Sequence, residues 1–422
     1  MPTTQPIRAA RGVRDILPDE LAAWREAERV TRRLVTSYGY REIEVPIIEP
    51  AALVERVGES TDVVQKEMYR FEDRGGRRLV LRPEATAGVV RAYFQGGLNQ
   101  GPQPARLWLI GPMFRYGRPQ AGRYREFHQL DVEALGDGSP AVDAEIIEIA
   151  WRWLAALGVG EITLQINSIG DGDCRPAYRE ALLAYYRPLK DRLCPDCQAR
   201  LELNPLRMFD CKEERDQVWK RDAPKIVDNL CAPCAEAFAE VRSLLDGAGI
   251  PHVLNSELVR GLDYYSRTTF EIWPADPAGA QSALGGGGRY DGLARELGYP
   301  DIPAVGFAAG IERVMAAVAE NGGQAPGASA AAILVLTDGA GLSAAAAAIA
   351  RVCRRSAPAI VDYSNRSLRA KMRSANRLGV RWVVLVGAEE AARRVVQLRE
   401  MVAGEQAEVA WDDLPGRLGA PT

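Results

Sequence analysis

Four consecutive positions, Gly285 to Gly288, carry no side chain, and they lie between the strand-like run Thr268 to Ile272 and the segment Arg289-Tyr290-Asp291-Gly292. Bare backbone between ordered elements either forms a loose hairpin or lets a ligand or a neighbouring strand come close. It is not a dinucleotide-type phosphate loop, because no strand-turn-helix unit with an acidic residue about 20 positions on surrounds it. Other strand-like runs are Leu79 to Leu81, Leu107 to Ile110, Phe127 to Leu135, Ile162 to Ile166 and Ala304 to Phe307. Helical patterns and turns of variable length separate them, with no fixed repeat, which predicts an α+β body around a mostly antiparallel sheet.

Apolar positions Leu21, Trp24, Ala27, Val30, Leu34 and Tyr38 predict a helix over 19–38, opened by Pro18 and Asp19, leading into a strand from Arg41 that stops at Pro46. A helical, cysteine-bearing insertion is expected at about 178–248 within a core of 1–322. Residues 323–330 read as a linker by composition, and 331–422 as a small α/β domain with strands at Ile333 to Leu336, Ala359 to Asp362 and Trp382 to Val386. The chain has a net charge of −3, but its last 92 residues hold 13 Lys and Arg against 9 Asp and Glu, or +4, which leaves −7 for the rest. A basic tail on an acidic body suits a protein that meets a polyanion with one part only. No signal peptide or membrane span is expected, and seven cysteines in 422 residues fit a reducing cytoplasm rather than a disulfide framework.

Three segments carry candidate chemistry. Phe114 to Gln129 places Arg115, Arg118, Arg123 and Arg125 around a Pro/Gly turn with aromatic neighbours, the outline of a hairpin that offers guanidinium groups to phosphate. Leu258 to Tyr265 precedes the glycine quartet. Ala304 to Val314 reads as a buried strand running through glycines into a helix whose early Arg313 reaches an anion. Each segment also has a plain structural reading, the first as a solvated basic hairpin.

Together and in this order, the segments resemble the motifs of class II aminoacyl-tRNA synthetases, specifically the histidyl-tRNA synthetase family. The stretch ending at Pro46 is similar to motif 1, Phe114 to Gln129 to motif 2 and Val305 to Arg313 to motif 3. Leu258 to Tyr265 and Ala283 to Asp291 resemble the two signatures that set the histidine enzymes apart, and Arg11 to Asp15 and Leu81 to Gly88 are similar to that family too. The resemblance implies an antiparallel-sheet catalytic domain with a helical insertion and a C-terminal anticodon-binding domain.

It also implies site roles. Arg115, Arg260 and Arg313 would be the catalytic cations, with Arg115, Arg123, Phe127 and Arg313 binding ATP and magnesium helping at the pyrophosphate end. Glu84, Ala85, Thr86 and Gln129 would hold the α-ammonium end of histidine, and Glu133, Tyr264 and Tyr265 its imidazole. A pocket that satisfies two ring nitrogens rejects wrong side chains by roughly 10⁴–10⁵, which removes the need for editing. Arg118, Gln120 and Arg125 are expected at the tRNA acceptor end. In the tail, Arg366, Arg369, Arg373 and Arg377 recur at helical spacing opposite Leu368, Met372, Ala375 and Gly379, a basic stripe fit for the anticodon stem-loop.

Two departures from the family pattern are visible. Gly117 stands where glutamate is usual, and Ala85 where glycine is usual. In the insertion, Cys194-Pro195-Asp196-Cys197 and Cys231-Ala232-Pro233-Cys234, with Cys211 between them, read either as paired knuckles for structural zinc or as reduced thiols, and no metal ligands are assigned. The expected partners are histidine tRNA, L-histidine and a second copy of the chain, since motif 1 forms a subunit interface in this class. The alternative function is a synthetase-like, histidine-sensing regulatory subunit of an ATP phosphoribosyltransferase, against which the three arginines and the complete tail argue.

Overall fold

The computed structural model of the 422-residue chain describes residues 7–58, 63–118, 122–203, 205–211, 213–259, 264–275, 283–322 and 333–418. The expected linker 323–330, together with Gln120 and Arg260, lies outside the described residues. The chain divides into two compact units, residues 1–16 with 24–324, and residues 17–23 with 325–422.

The first unit is built on an eight-stranded sheet. In spatial order its strands are Arg41–Glu42, Ala105–Phe114, Glu126–Leu135, Ala304–Gly310, Gly285–Arg289, Ser266–Pro274, Ile162–Ser168 and His252–Leu254. Only the two edge pairings are parallel; the five inner ones are antiparallel. The glycine quartet is therefore a central strand. A Cβ on Gly287 would lie 2.6 Å from Phe307 Cα, so bare backbone is what lets these two strands close together.

The strand expected from Arg41 to Pro46 ends early. Ile43 N–H still donates to Trp108 O at 2.9 Å, but Val45 O accepts from the buried Arg82 guanidinium at 2.7 Å instead of from a strand partner. A three-stranded sheet of Ile48–Pro50, Arg78–Leu81 and Tyr69–Glu72 follows, of which sequence patterning indicated only one strand. The helix Pro140–Leu157 packs its apolar side inward through Ile146, Ile147, Ala150 and Trp153. It is joined to the glycine strand by Arg289, 1% exposed, which pairs with Asp143 and donates to the carbonyls of Asp137 and Ser139 at 3.1 and 3.2 Å. A cation this deeply buried needs such a full set of partners.

The insertion is a group of short helices, Arg175–Tyr186, Pro195–Leu203 and Glu214–Arg221, followed by the longer Ala232–Gly247. Around Tyr178, Leu182, Leu201, Met208 and Phe209 it has a small core of its own.

The second unit carries a five-stranded sheet ordered Ala359–Asp362, Ile333–Asp338, Trp382–Gly387, Val395–Glu400 and Gln406–Ala410. The first three strands are parallel, and the last two, absent from the sequence reading, add on antiparallel. The helix Leu368–Leu378 ends at Gly379, whose φ of 64° is the left-handed conformation of a C-cap. Arg369, Arg373 and Arg377 are exposed on it, while Ala375 and Lys371 are buried. Lys371 Nζ donates to the carbonyl and hydroxyl oxygens of Thr337 at 3.0 and 2.9 Å, a buried cation that periodicity alone did not reveal.

Candidate active site

Strand pleating places alternate residues on one face, so Phe127, Gln129, Asp131 and Glu133 of the strand Glu126–Leu135 point the same way. That face forms the floor of a cavity of about 880 Å³. Glu133 sits opposite Gly306 on the next strand, where an added Cβ would lie 2.6 Å from its Cδ. The glycine leaves the carboxylate room to cross the strand and accept from the Tyr290 hydroxyl, while its other oxygen accepts from Thr86 Oγ1 at 2.7 Å. Burial pushes the Glu133 carboxyl well above its usual range.

Thr86 opens the helix Thr86–Gln95, and the first backbone N–H groups of that helix, Thr86 and Ala87, donate to Glu84 at 2.8 and 3.1 Å. Even so, burial raises the Glu84 carboxyl. Ala85 sits at φ −106° and ψ −22°, an ordinary conformation for a residue with a Cβ, so replacing the usual glycine causes no backbone strain. Tyr264 and Tyr265, with ring centroids 4.8 Å apart, and Tyr290, 5.6 Å from Tyr264, form an aromatic wall.

Cations line the other end. Arg115 donates from Nε to Pro83 O at 2.8 Å and lies over the Phe127 ring at 5.3 Å. Arg313, on the first turn of the helix Ile311–Glu320, donates to Gly122 O at 3.2 Å and Ala283 O at 3.1 Å. Desolvation lowers its pKa, and the nearby positive charges of Arg115 and Arg123 lower it further, as expected where three guanidinium groups converge. The neighbouring Glu312 accepts from His128 N–H at 2.9 and 3.0 Å, fixing the start of this helix against the cavity floor.

Most of the expected residues therefore meet in one cavity: Glu84, Thr86, Arg115, Arg123, Phe127, Gln129, Glu133, Tyr264, Tyr265 and Arg313. Arg118 is exposed, and Arg125 stacks on the Tyr116 ring at 3.7 Å. The opening segment joins the hairpin here, since Gly12 O accepts from Arg125 N–H at 2.7 Å and Arg14 lies over the Tyr124 ring at 5.1 Å.

Three residues escaped the sequence reading. Asp131 lies between Gln129 and Glu133 on the floor, and neither of its buried oxygens has a hydrogen-bond partner among the described residues. Burial, with Glu84 adding to it, pushes the Asp131 carboxyl up to about 8. Strand alternation would have found it. Tyr290 directly follows the glycine strand, and no spacing within its own segment gives it a role. Glu67 pairs with Arg123 from a separate element, and no local pattern marks it. A Cβ on Gly117 would lie 3.0 Å from Arg123 Nε, so the position of the usual glutamate faces the same guanidinium that Glu67 holds.

The two CxxC pairs do not form one site. Cys194 and Cys197 gather with Cys211 and Asp216, whereas Cys231 and Cys234 gather with Cys174 and Asp171.

The arrangement has two poles: buried carboxylates and hydroxyls at one end, converging guanidinium groups at the other, and aromatic rings beside the first. It suits an amino acid lying with its ammonium toward the acids and its carboxylate toward a nucleotide phosphate. Residues 12–170 and 208–314 match the family described as "Histidyl-tRNA synthetase", and residues 330–420 match "Anticodon binding domain". A "Histidine--tRNA ligase" of Desulforamulus reducens is 46% identical over 416 residues, covering 98% of both chains. One of Moorella thermoacetica is 48% identical over 401 residues, covering 94% of this chain and 95% of its own. The apo histidyl-tRNA synthetase of S. aureus superposes with a TM-score of 0.83 at 34% identity, covering 98% of this chain and all of that one. On its cavity, its fold and its likeness along nearly the whole length, this chain belongs to the histidyl-tRNA synthetase family.

Proposed function

We propose that the chain activates L-histidine with ATP and transfers the histidyl group to the 3′ end of its tRNA. A carboxylate oxygen of histidine attacks the α-phosphorus, the bond to the β-phosphate oxygen breaks, and pyrophosphate leaves. A terminal ribose hydroxyl of the tRNA then attacks the carbonyl carbon of the adenylate, loses its proton and displaces AMP. The observation that carries this reading is the convergence of Arg115 and Arg313 in the cavity that also holds Glu133 and Tyr264.

In this scheme Arg115 grips the α-phosphate and Arg313 the far phosphates. Their charges are in place before negative charge builds on the phosphoryl oxygens, which lowers the barrier. Arg260 is assigned beside them by its place in the family signature. Phe127 and Arg123 bound the nucleotide side. Glu84, Thr86 and Gln129 take the ammonium group, and Asp131, whose two buried oxygens have no hydrogen-bond partner among the described residues, balances its charge. Glu133, held by Thr86 and Tyr290, accepts from one imidazole nitrogen, and Tyr264 and Tyr265 bracket the ring. Magnesium fits the phosphate end, where Glu271 lines the cavity with Arg313 and offers the hard oxygen donor such an ion takes, and it would add charge neutralisation on the pyrophosphate.

The tail, matched as an anticodon-binding domain, is assigned to 331–422 and docks tRNA through Arg366, Arg369, Arg373 and Arg377. Arg118, Gln120 and Arg125 are assigned to the acceptor end by resemblance to the family motif alone. We assign a homodimer: Ile47 and Ile48, which follow motif 1, are 40% and 50% exposed in the single chain, as an interface awaiting its partner would be. Sedimentation that finds a fully active monomer removes that assignment. Among the described residues no helix is long and apolar enough to cross a membrane, and the seven free thiols favour a cytoplasmic site of action. The decisive experiment is ATP–pyrophosphate exchange with each of the twenty amino acids. Exchange with histidine alone is expected, and exchange with none would favour the regulatory reading.

A further inference from the structure

The insertion contains four ligand-type side chains that the activation chemistry does not use. Cys194, Cys197, Cys211 and Asp216 are all buried, and their ligand atoms lie within 4.8 Å of one another. Cys194 Sγ and Cys211 Sγ are 3.8 Å apart, too far for a disulfide at about 2.05 Å. That separation is the edge of a tetrahedron of sulfurs about 2.3 Å from a central zinc. Cys211 Sγ lies 3.2 Å from Asp216 Oδ2, close to the edge such a tetrahedron has with one oxygen corner.

The surroundings are those of a ligand set held in place. Cys197 N–H donates to Cys194 Sγ at 3.4 Å, and Cys194 N–H reaches both Asp216 oxygens at 3.2 Å, so the backbone orients both kinds of donor atom. Three thiolates and a carboxylate around a divalent ion leave a net negative charge. Lys220 Nζ, which donates to Cys211 O and to Phe209 O at 2.7 Å, sets a cation beside it.

We propose that Cys194, Cys197, Cys211 and Asp216 bind one structural zinc ion. Sulfur-rich tetrahedral sets select zinc over hard cations. The ion joins the start of the helix Pro195–Leu203, the turn at Cys211 and the start of the helix Glu214–Arg221, elements of 9 and 8 residues that otherwise rest on the small apolar core of the insertion. Cys194, Cys211 and Lys220 also line the cavity shared by Arg115 and Glu133, so the ion fixes one wall of the reaction chamber. The second cysteine group is a weaker candidate, because its Asp171 is engaged by Arg267 at 3.3 Å and Cys231 is only partly buried.

The test is elemental analysis of the full-length protein, purified without chelator, beside Cys211→Ser and Cys174→Ser. The proposal expects Cys211→Ser to lose one equivalent of zinc that Cys174→Ser keeps. Should Cys211→Ser fail to fold, two further measurements decide. Wild-type protein reconstituted with cobalt(II) should show thiolate charge-transfer and intense tetrahedral d–d bands, and Asp216→Asn should weaken zinc in chelator competition by about tenfold or more. Wild-type protein that takes up neither zinc nor cobalt, zinc content unchanged in a folded Cys211→Ser, or iron with sulfide in place of zinc would each overturn the proposal.

Discussion

Glu133 reaches Tyr290 across the bare backbone of Gly306, one strand away from each. Three separate stretches of sequence thus converge on a single carboxylate. Gly306→Ala would put a methyl group 2.6 Å from Glu133 Cδ and 2.7 Å from the backbone oxygen of Val132, so the Glu133 carboxylate has to leave its place between Thr86 and Tyr290. Histidine-dependent pyrophosphate exchange in this variant should fall by about 100-fold or more, since a displacement near 1 Å in a binding constellation costs that much. Tyr290→Phe only removes a donor from a buried carboxylate, a cost of about 1–3 kcal/mol, so kcat/KM for histidine should fall roughly 5- to 150-fold. An unchanged KM for histidine in both variants would sink the assignment of Glu133.

Asp131 makes the site pH-dependent. With its carboxyl pushed up to about 8, it is held mostly protonated at neutral pH before substrate binds. An ammonium group beside it favours the anion, so histidine binding releases a proton below that value. Affinity should then rise by up to about tenfold per pH unit toward about 8 and level off above it. Calorimetry in two buffers of different ionisation enthalpy measures the released proton, and Asp131→Asn should reduce it to whatever Glu84 and Glu133, whose carboxyls burial also raises, contribute. Stability follows the opposite sense. The unfolded carboxylate ionises near 3.9, so the folded form is favoured fully below that pH and the advantage is lost as pH rises to about 8. Asp131→Asn should therefore melt above the parent at pH 8 and level with it at pH 3.5.

Much of this site was legible because its determinants are local in sequence. Arg115 and Arg313 sit in short segments whose glycines and turns announce special backbone, and Phe127 to Leu135 alternates plainly enough to place Gln129 and Glu133 on one face. Chain order then linked segments that are each weak alone. What was not legible depends on long-range pairing. Glu67 meets Arg123 across 56 positions, Tyr290 meets Glu133 across 157, and Cys174 meets Cys231 only because the insertion folds back on itself. The strand from Arg41 was overextended for the same reason, since Arg82 captures the Val45 carbonyl from 37 positions away.

The pair of Glu67 and Arg123 offers a test of how this chain manages without the usual glutamate at 117. Arg123 also adds to the positive field at Arg313, so the carboxylate that holds it bears on the end of the cavity proposed for the nucleotide. Glu67→Gln keeps the shape and removes the charge. We expect KM for ATP to rise about fivefold, the equivalent of about 1 kcal/mol for a half-buried pair, with KM for histidine unchanged. Exchange kinetics with each substrate varied in turn separate the two, and a rise confined to histidine would reassign Glu67.

The tail makes a separable prediction. Arg369, Arg373 and Arg377 are exposed along one helix while its other side packs on the sheet through Ala375 and the buried Lys371, so the arginines can be changed without disturbing the core. Replacing all three with glutamine should leave pyrophosphate exchange intact, because amino acid activation needs no tRNA docking on the tail. Aminoacylation should weaken through KM for tRNA by about tenfold or more. Every arginine that no longer meets a phosphate also takes away part of the salt dependence, roughly 0.7–0.9 in the slope of log K against log salt concentration. Filter binding of the tRNA across a salt series, run beside exchange kinetics on the same preparations, distinguishes a missing docking face from a damaged enzyme: weaker binding with an unchanged salt slope would show that these arginines do not meet phosphate.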